Sequence, residues 1–320
     1  MPPPPSSLAS GITLSVVGLW CKAFLALTTR GYKVHGTEHL LKALENKPEM
    51  IAAAAAATRE GKGKDVSVPG HLGSLPRRGI ITVCNHNSVV DDPMMWSMLP
   101  LSTFMPFARP SHTCHNLRWT LGASDIMFTN PVMSKFFGWG QVIETVRGGG
   151  IYQPAVDTAI KRLEQGGHVH IFPEGKVNQE KPNPKGGLHR FKWGVGRILM
   201  DAQTMPEVIP IWISGFDQIM NERRTWPRGM LRTGANVSIT VGAPITARVQ
   251  PLVEAYHASK ASGTDNHGPT ATRIHIVHEL QEAVRQLGDS VEEREGRFER
   301  REWSQSRANA HKTGVLESSA

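Results

Sequence analysis

Apolar positions fall into one long run and a series of short ones. The long run, residues 8–27, holds twenty residues and a single charge, Lys22. As a helix it is long enough to cross a bilayer. Ser10, Thr13, Ser15 and two glycines dilute it, and Gly11, Ser15, Gly18 and Lys22 share one helical stripe. It reads first as an interfacial or re-entrant anchor; a spanning helix and a buried core helix are the other readings. Trp20, Phe24 and Tyr32 would then sit at headgroup level, with Lys22, Arg30 and Lys33 against anionic lipid.

The short runs have strand length and β-branched content: residues 80–84, 103–107, 141–144, 168–172, 208–213 and 237–241. The stretch 208–213 reads as a central strand rather than a membrane contact. Helical patterns lie between them: 39–57 with its alanine run, 93–99 with proline in the first turn, 131–137, 153–164, 188–201 and 272–287. Phe191, Val195, Ile198 and Leu199 line one face of the fifth; Ile276, Leu280 and Val284 step along the last. Strands alternating with helices give an α/β class: one domain, a mixed central sheet flanked by helices, and an N-terminal membrane-associating helix. The organisation expected is a membrane-associating segment 1–33, a catalytic domain 34–288 and a charged tail 289–320. Residues 48–78, rich in Ala, Gly, Lys and Pro, read as a loop-like insertion. Residues 292–302 mix Glu and Arg densely and read as a solvated helix or as disorder.

Two strand ends carry chemistry. After 80–84 comes Asn85-His86-Asn87-Ser88-Val89-Val90-Asp91-Asp92-Pro93. Histidine takes and returns protons near neutral pH. A carboxylate on its second nitrogen fixes the tautomer and stabilises the imidazolium, and Asp91 suits that role if the chain turns back within one helical turn. The competing reading is a structural turn with a capping aspartate. After 168–172 comes Pro173-Glu174-Gly175-Lys176. Glu174 can bind a hydroxyl or orient a donor, Gly175 admits close backbone approach, and Lys176 offers a charge to phosphate. Alone, such a triplet is usually a surface turn. Arg147 can grip a phosphate bidentately. Gly148-Gly149-Gly150 reads as a phosphate cradle or a flexible loop. Ser88 reads as a helix cap or a second-choice nucleophile, and Asn85 or backbone N–H groups near Gly175 as oxyanion donors. Asp92 and Pro93 organise the turn, and His168 and His170 read as packed histidines.

The net charge of +8 suits a polyanion. No nucleic-acid-binding signature is present, so an anionic membrane surface is the stronger reading and nucleic acid is set aside. Three separated cysteines make no disulfide framework. His112-x-Cys114-His115 lacks a second ligand pair, so neither a metal nor another cofactor is expected. No Gly-x-Ser-x-Gly elbow is present, which argues against a serine esterase of the α/β-hydrolase kind.

His86-x4-Asp91 together with Phe172-Pro173-Glu174-Gly175 resembles the glycerolipid acyltransferase superfamily. Further matching stretches are Asp125-Ile126-x-Phe128-Thr129-Asn130-Pro131, residues 137–152 around Arg147-Gly148, and residues 170–178. They are similar to its branch of mitochondrial phospholipid–lysophospholipid transacylases, over roughly residues 10–245. The resemblance implies a single acyltransferase domain and CoA-independent exchange that remodels cardiolipin acyl chains. His86 would be the general base and Asp91 its partner. Asn85, Ser88, Arg147, Gly148, Glu174, Gly175 and Lys176 would contact substrate. It implies phospholipid, lysophospholipid and cardiolipin partners and leaves a homo-oligomer open. The implied location is peripheral or monotopic on mitochondrial membranes, facing the intermembrane space, although the sequence shows no cleavable targeting signal. Two competitors remain: an acyl-CoA-dependent lysophospholipid or glycerol-phosphate acyltransferase, and a non-catalytic basic membrane-binding protein.

Overall fold

A computed structural model describes residues 8–45, 78–104, 117–221, 226–227, 229–263 and 268–308. Its centre is the strand β2 (Ile80–Cys84), buried at every position. On either side lie β1 (Gly31–His35), β3 (Trp119–Ala123), β4 (Val142–Thr145), β5 (His168–Ile171), β6 (Glu207–Ser214) and β7 (Asn236–Val241). The sheet order is β1-β7-β6-β2-β5-β3-β4. All neighbours run parallel except β6 and β7. The sheet is mixed, as the sequence predicts.

Period-two burial feeds two cores. Ile81, Val83, Val208 and Trp212 face one side; Ile80, Cys84, Ile209, Ile211 and Ile213 face the other. The first side is covered by α6 (Pro154–Glu164), α7 (Gly194–Asp201), α9 (Thr246–Ser262) and α10 (Gly268–Arg294). The second is covered by α1 (Leu8–Thr28), α2 (Thr37–Glu45) and α3 (Asp91–Met95), with α8 (Phe216–Ile219) beside them. α4 (Ser124–Met127) and α5 (Pro131–Trp139) follow β3. Central strands buried on both faces read as unbroken apolar runs, which is why β2 and β6 are legible.

Several expectations are corrected. Of the strand expected at 103–107, Thr103 and Phe104 belong instead to a 3-10 turn over Leu101–Phe104, started by Pro100, whose carbonyl takes the Thr103 N–H at 3.0 Å; residues 105–107 lie outside the described residues. The helix expected from 188 begins only at Gly194. The preceding backbone N–H groups are spent elsewhere: His189 on Glu174 at 2.9 Å, Phe191 on Gln281 at 2.9 Å, Lys192 on Pro173 at 2.7 Å. The sequence pattern does not reveal β1, β3 or α9. The 39–57 helix is observed as α2; its later part, nearly all of the 48–78 insertion, and the His112/Cys114/His115 group lie outside the described residues.

α1 sits on the domain with its small and polar stripe inward: Ser10, Gly11, Ser15, Gly18 and Cys21 are buried. A Cβ on Gly18 would run into the Phe104 ring. Lys22 and Tyr32 turn their polar heads into the domain. Lys22 Nζ donates to the carbonyls of Ser97 and Leu99 at 2.7 and 2.9 Å. The Tyr32 hydroxyl meets Ser97 Oγ at 2.7 Å. Leu8, Ile12, Val16 and Trp20, at four-residue steps, face outward. α1 is also long and apolar enough to cross a membrane, with a third of its most apolar window buried.

The tail is structured up to residue 308: the helix runs to Arg294 and residues 299–302 are exposed, as a solvated segment would be, but both flanks of this stretch are anchored. Glu292 is buried and accepts from the Ser304 hydroxyl, from Gln305 N at 3.2 Å and from Ser306 Oγ at 3.2 Å. Trp303 Nε1 donates to Asn183 O at 2.7 Å, and Gly186 forms an antiparallel bridge with Ala308.

Candidate active site

Because β2, β5, β3 and β4 are parallel, the loops leaving them emerge at one sheet edge, where α/β proteins build their sites. His86 leaves β2 there and Phe172 leaves β5. Their rings stack, centroids 4.3 Å apart. The chain then turns into α3, and this turn brings Asp91 back. His86 Nδ1 lies 2.9 Å from Asp91 Oδ2. The same oxygen takes the backbone N–H groups of Asn87 and Ser88 at 2.5 and 2.7 Å. Asp91 is fully buried, whereas the His86 side chain keeps 20% exposure. Burial pushes the Asp91 carboxyl up, opposed by the His86 pair and the two N–H donors. With Nδ1 engaged, Nε2 is the ring nitrogen able to handle a substrate proton.

Glu174 is buried behind His86 rather than open to a ligand. Oε1 accepts from His86 N at 2.9 Å and Gln305 Nε2 at 3.3 Å; Oε2 accepts from Asn178 Nδ2 at 2.7 Å and His189 N at 2.9 Å. Burial raises its carboxyl to about 7 despite these donors. Gly175, at φ +70°, makes the turn that a side chain would strain, and stands exposed with Lys176. Burial, and after it the nearby charges of Lys176 and Lys192, hold the His189 imidazole below its ordinary value, so the two lysines are the cations on this side of the site.

Asn85 is also buried, its amide paired with the β6 backbone: Oδ1 accepts from Ile213 N and Nδ2 donates to Ile213 O, each at 2.9 Å. Ser88 does not cap α3, whose N-cap is Val90. Its hydroxyl donates to Met220 O at 2.9 Å. Arg147 and Gly148 leave β4 at the same sheet edge, three strands from β2, and are exposed. Arg147 Nε donates to Asp125 Oδ1 at 3.1 Å, with Nη2 on Oδ2.

Four groups at the site have no role in the sequence reading, although Phe172 and Asn178 fall within its motifs. Arg118 grips Asp92, Nε to Oδ1 at 2.9 Å with Nη2 on Oδ2. Burial would raise the Asp92 carboxyl, but Arg118 wins and holds it low. Asn178 N donates to His86 O at 2.8 Å. Phe172 and Gln305 are the others. Asn178 follows the Pro-Glu-Gly turn closely enough to have been suspected; Arg118 and Gln305 carry no local signal. Beneath the site Thr82 Oγ1 joins His168 Nε2 and His170 Nδ1 at 2.9 and 2.8 Å. Burial drops His170 to about 3, so it stays neutral. Among the described residues no His, Cys, Asp and Glu side chains gather as a metal-holding group.

The family described as Acyltransferase matches residues 34–214. The chain is 30% identical to a tafazzin of Drosophila melanogaster over 285 residues, 89% of this chain and 62% of that protein. It is 33% identical to a taffazin of Dictyostelium discoideum over 243 residues, 75% of this chain and 70% of that one. An N-acylphosphatidylethanolamine synthase of Arabidopsis thaliana is 38% identical over 179 residues, 55% of this chain and 58% of that protein. The chain thus spans somewhat under two thirds of the length of the Drosophila relative.

Proposed function

This chain belongs to the acyltransferase family, alongside the tafazzins, and we propose that it is a CoA-independent phospholipid–lysophospholipid transacylase that remodels cardiolipin acyl chains. The observation that carries the chemistry is the His86–Asp91 pair at the sheet edge. His86 Nε2 takes the proton of a lysophospholipid hydroxyl as its oxygen attacks the ester carbonyl of a donor phospholipid. The tetrahedral intermediate collapses, its C–O bond to the donor glycerol breaks, and His86 returns the proton to the leaving alkoxide. Asp91 keeps Nδ1 protonated and stabilises the transient imidazolium. One ester is exchanged for another, so the reaction needs no energy source and runs in both directions with the same groups.

Lys176, with Lys192, supplies charge for a lipid phosphate, and the neutral His189 imidazole can offer a hydrogen bond. Arg147 and Gly148 form a second phosphate contact. The exposed Arg147–Asp125 pair contributes little and can yield to a phosphate. Glu174, Asn85 and Ser88 act from behind by fixing the loop. Lipid reaches this edge from a membrane held by the outward stripe of α1 and by Val132, Met133, Phe136 and Trp139 of α5, which packs beside it. Such an apolar face, backed by a net charge of +8, suits peripheral association with an anionic bilayer. The setting proposed is a mitochondrial membrane, on the face toward the intermembrane space.

The test mixes purified protein, phosphatidylcholine labelled in one acyl chain, and monolyso-cardiolipin, without CoA. Label should enter cardiolipin with wild type and fall about 10²–10⁴-fold with His86→Ala, the usual worth of a general acid–base. Transfer only on adding acyl-CoA would make this an acyl-CoA-dependent enzyme. The 38% identity to the Arabidopsis synthase gives phosphatidylethanolamine a place as a second acceptor; label on its nitrogen would move the reading to that chemistry. Vesicle binding with no transfer to any acceptor would leave a membrane-binding protein without turnover.

A further inference from the structure

Gln305 lies 219 residues along the chain from His86, yet is buried against its loop at 2% exposure. Its Oε1 accepts from Asn85 Nδ2 at 2.8 Å and, more weakly, from Asn87 Nδ2 at 3.5 Å. Its Nε2 donates to His86 O at 3.1 Å and Glu174 Oε1 at 3.3 Å. One side chain therefore ties the three consecutive residues 85, 86 and 87 to one another and to Glu174. A primary amide is required, since one end must accept from donors while the other donates to acceptors. Asparagine has the same amide but is one methylene short.

The residues around Gln305 are built to hold it. Gln305 N and the hydroxyls of Ser304 and Ser306 are gathered by Glu292 near the end of α10. Gly187 N donates to Ser304 O at 3.0 Å, and Arg307 Nε reaches Asp289 Oδ1 at 2.9 Å. The strap thus lies between α10 and the loop 183–187. Asn183 Nδ2 carries that loop back to Asn178 Oδ1 at 3.0 Å, and Asn178 holds Glu174.

We propose that Gln305 is a positioning residue for acyl transfer, delivered by a C-terminal strap over residues 303–308 that fixes the His86 loop. The proposal rests on His86 being the base. Without Gln305 the His86 carbonyl and the Asn85 amide each lose a partner in a buried setting, and buried polar groups that lose partners pull the backbone out of place. The ring would then sample positions off Phe172 and off Asp91, and proton transfer is sensitive to such displacement.

The experiment compares full-length wild type, Gln305→Ala, Gln305→Met and Gln305→Asn. The Met variant keeps the volume without the polar ends, so it separates packing from hydrogen bonding if the Ala variant folds poorly. Two readouts are taken: acyl-exchange kcat and KM, and amide hydrogen exchange of residues 86–88. Those three N–H groups bond to Glu174 and Asp91 in the intact loop. Expected for Met is a kcat loss of roughly 10–100-fold with KM within about two-fold, as for a displaced catalytic group. Faster exchange confined to 86–88 should accompany it, with partial recovery of both in the Asn variant. Wild-type kcat and wild-type exchange in the Met variant would overturn the proposal. So would a loss of thermal stability alone, with kcat unchanged below the transition. If wild type transfers no acyl group under any condition, the reading of His86 has failed, and the exchange data still decide whether Gln305 holds the loop.

Discussion

Asp91 is asked to do three things with one oxygen. Oδ2 orients His86 and also closes the turn by taking the N–H groups of Asn87 and Ser88. An amide oxygen can still close the turn but brings no negative charge to meet the imidazolium. Asp91→Asn should therefore leave the thermal transition nearly in place while kcat falls about 10²–10⁴-fold; a variant that merely unfolds would assign Asp91 to structure. Glu174 is the opposite case, with four donors and no acceptor around it. Burial lifts its folded-state carboxyl from the ordinary 4.5 to about 7. A group raised in this way favours the folded state below its unfolded value and loses that advantage as pH climbs through the folded one. Its contribution to stability should thus decline between about pH 4.5 and 7. Glu174→Gln lacks the titration and turns an amide N–H₂ toward N–H donors, at a cost of about 1–3 kcal/mol. Melting curves from pH 4.5 to 8 should show the variant starting lower and lacking that part of the decline; parallel curves would contradict the assignment. His86, Asp91 and Glu174 were legible because a strand, its end and the reactive group are contiguous in sequence. The inward orientation of Glu174 was not, since nothing local says whether a turn carboxylate faces substrate or backbone. Arg118 and Gln305 reach the site from distant segments whose polar residues follow no apolar period.

At the scale of the element, α1 is turned inside out relative to a helix on a water-soluble protein. Its small and polar residues are packed inward, and Leu8, Ile12, Val16 and Trp20 point away from the protein. The sequence reveals the stripe through Gly11, Ser15, Gly18 and Lys22, but periodicity says only that two faces differ, not which one meets protein. Lys22 settles it by donating inward to Ser97 and Leu99. Opposite outcomes are expected for substitutions on the two faces. Val16→Glu with Trp20→Glu should keep the thermal transition but weaken binding to cardiolipin-containing vesicles. Each lost insertion is worth roughly 1.5–3 kcal/mol, so partitioning should fall at least ten-fold. Gly18→Leu should bind vesicles normally once folded but lose about 1–3 kcal/mol of stability, because Phe104 occupies the space. Sedimentation with vesicles and melting curves on the same samples separate the two. Equal effects on both faces would contradict this orientation of α1. The same limit hid β1 and α9. β1 is a short edge strand with polar residues interleaved, and α9 carries Pro251 and no strong apolar face.

For the whole molecule, the two ends of the described chain are tied to its middle. β1 pairs in parallel with β7, from Gly31 opposite Asn236 to His35 opposite Thr240. The strap at 303–308 reaches residues 85–87. Strand order across 200 residues is invisible to local pattern, so neither tie was readable from the sequence. The N-terminal tie bears on how far α1 can be separated from catalysis. Leu14, Cys21 and Leu25 of α1 are buried in the same core as Met94, Met95, Leu99 and Phe104, which follow the His86–Asp91 turn. Burying each large apolar side chain contributes about 1.5–3 kcal/mol, against a net domain stability of about 5–15 kcal/mol. Removing residues 1–30 takes away all three and bares their partners. Truncation should therefore cost most of the folding free energy. The expected product is a protein degraded by brief proteolysis at 25 °C, without a cooperative melt, whose activity is absent even on detergent-dispersed lipid. Val16→Glu with Trp20→Glu, in contrast, should resist the protease and keep activity on dispersed lipid while failing on vesicles. A truncated protein that melts cooperatively and transfers acyl chains in detergent would make α1 a detachable anchor. The inward stripe would then be packing that catalysis can do without.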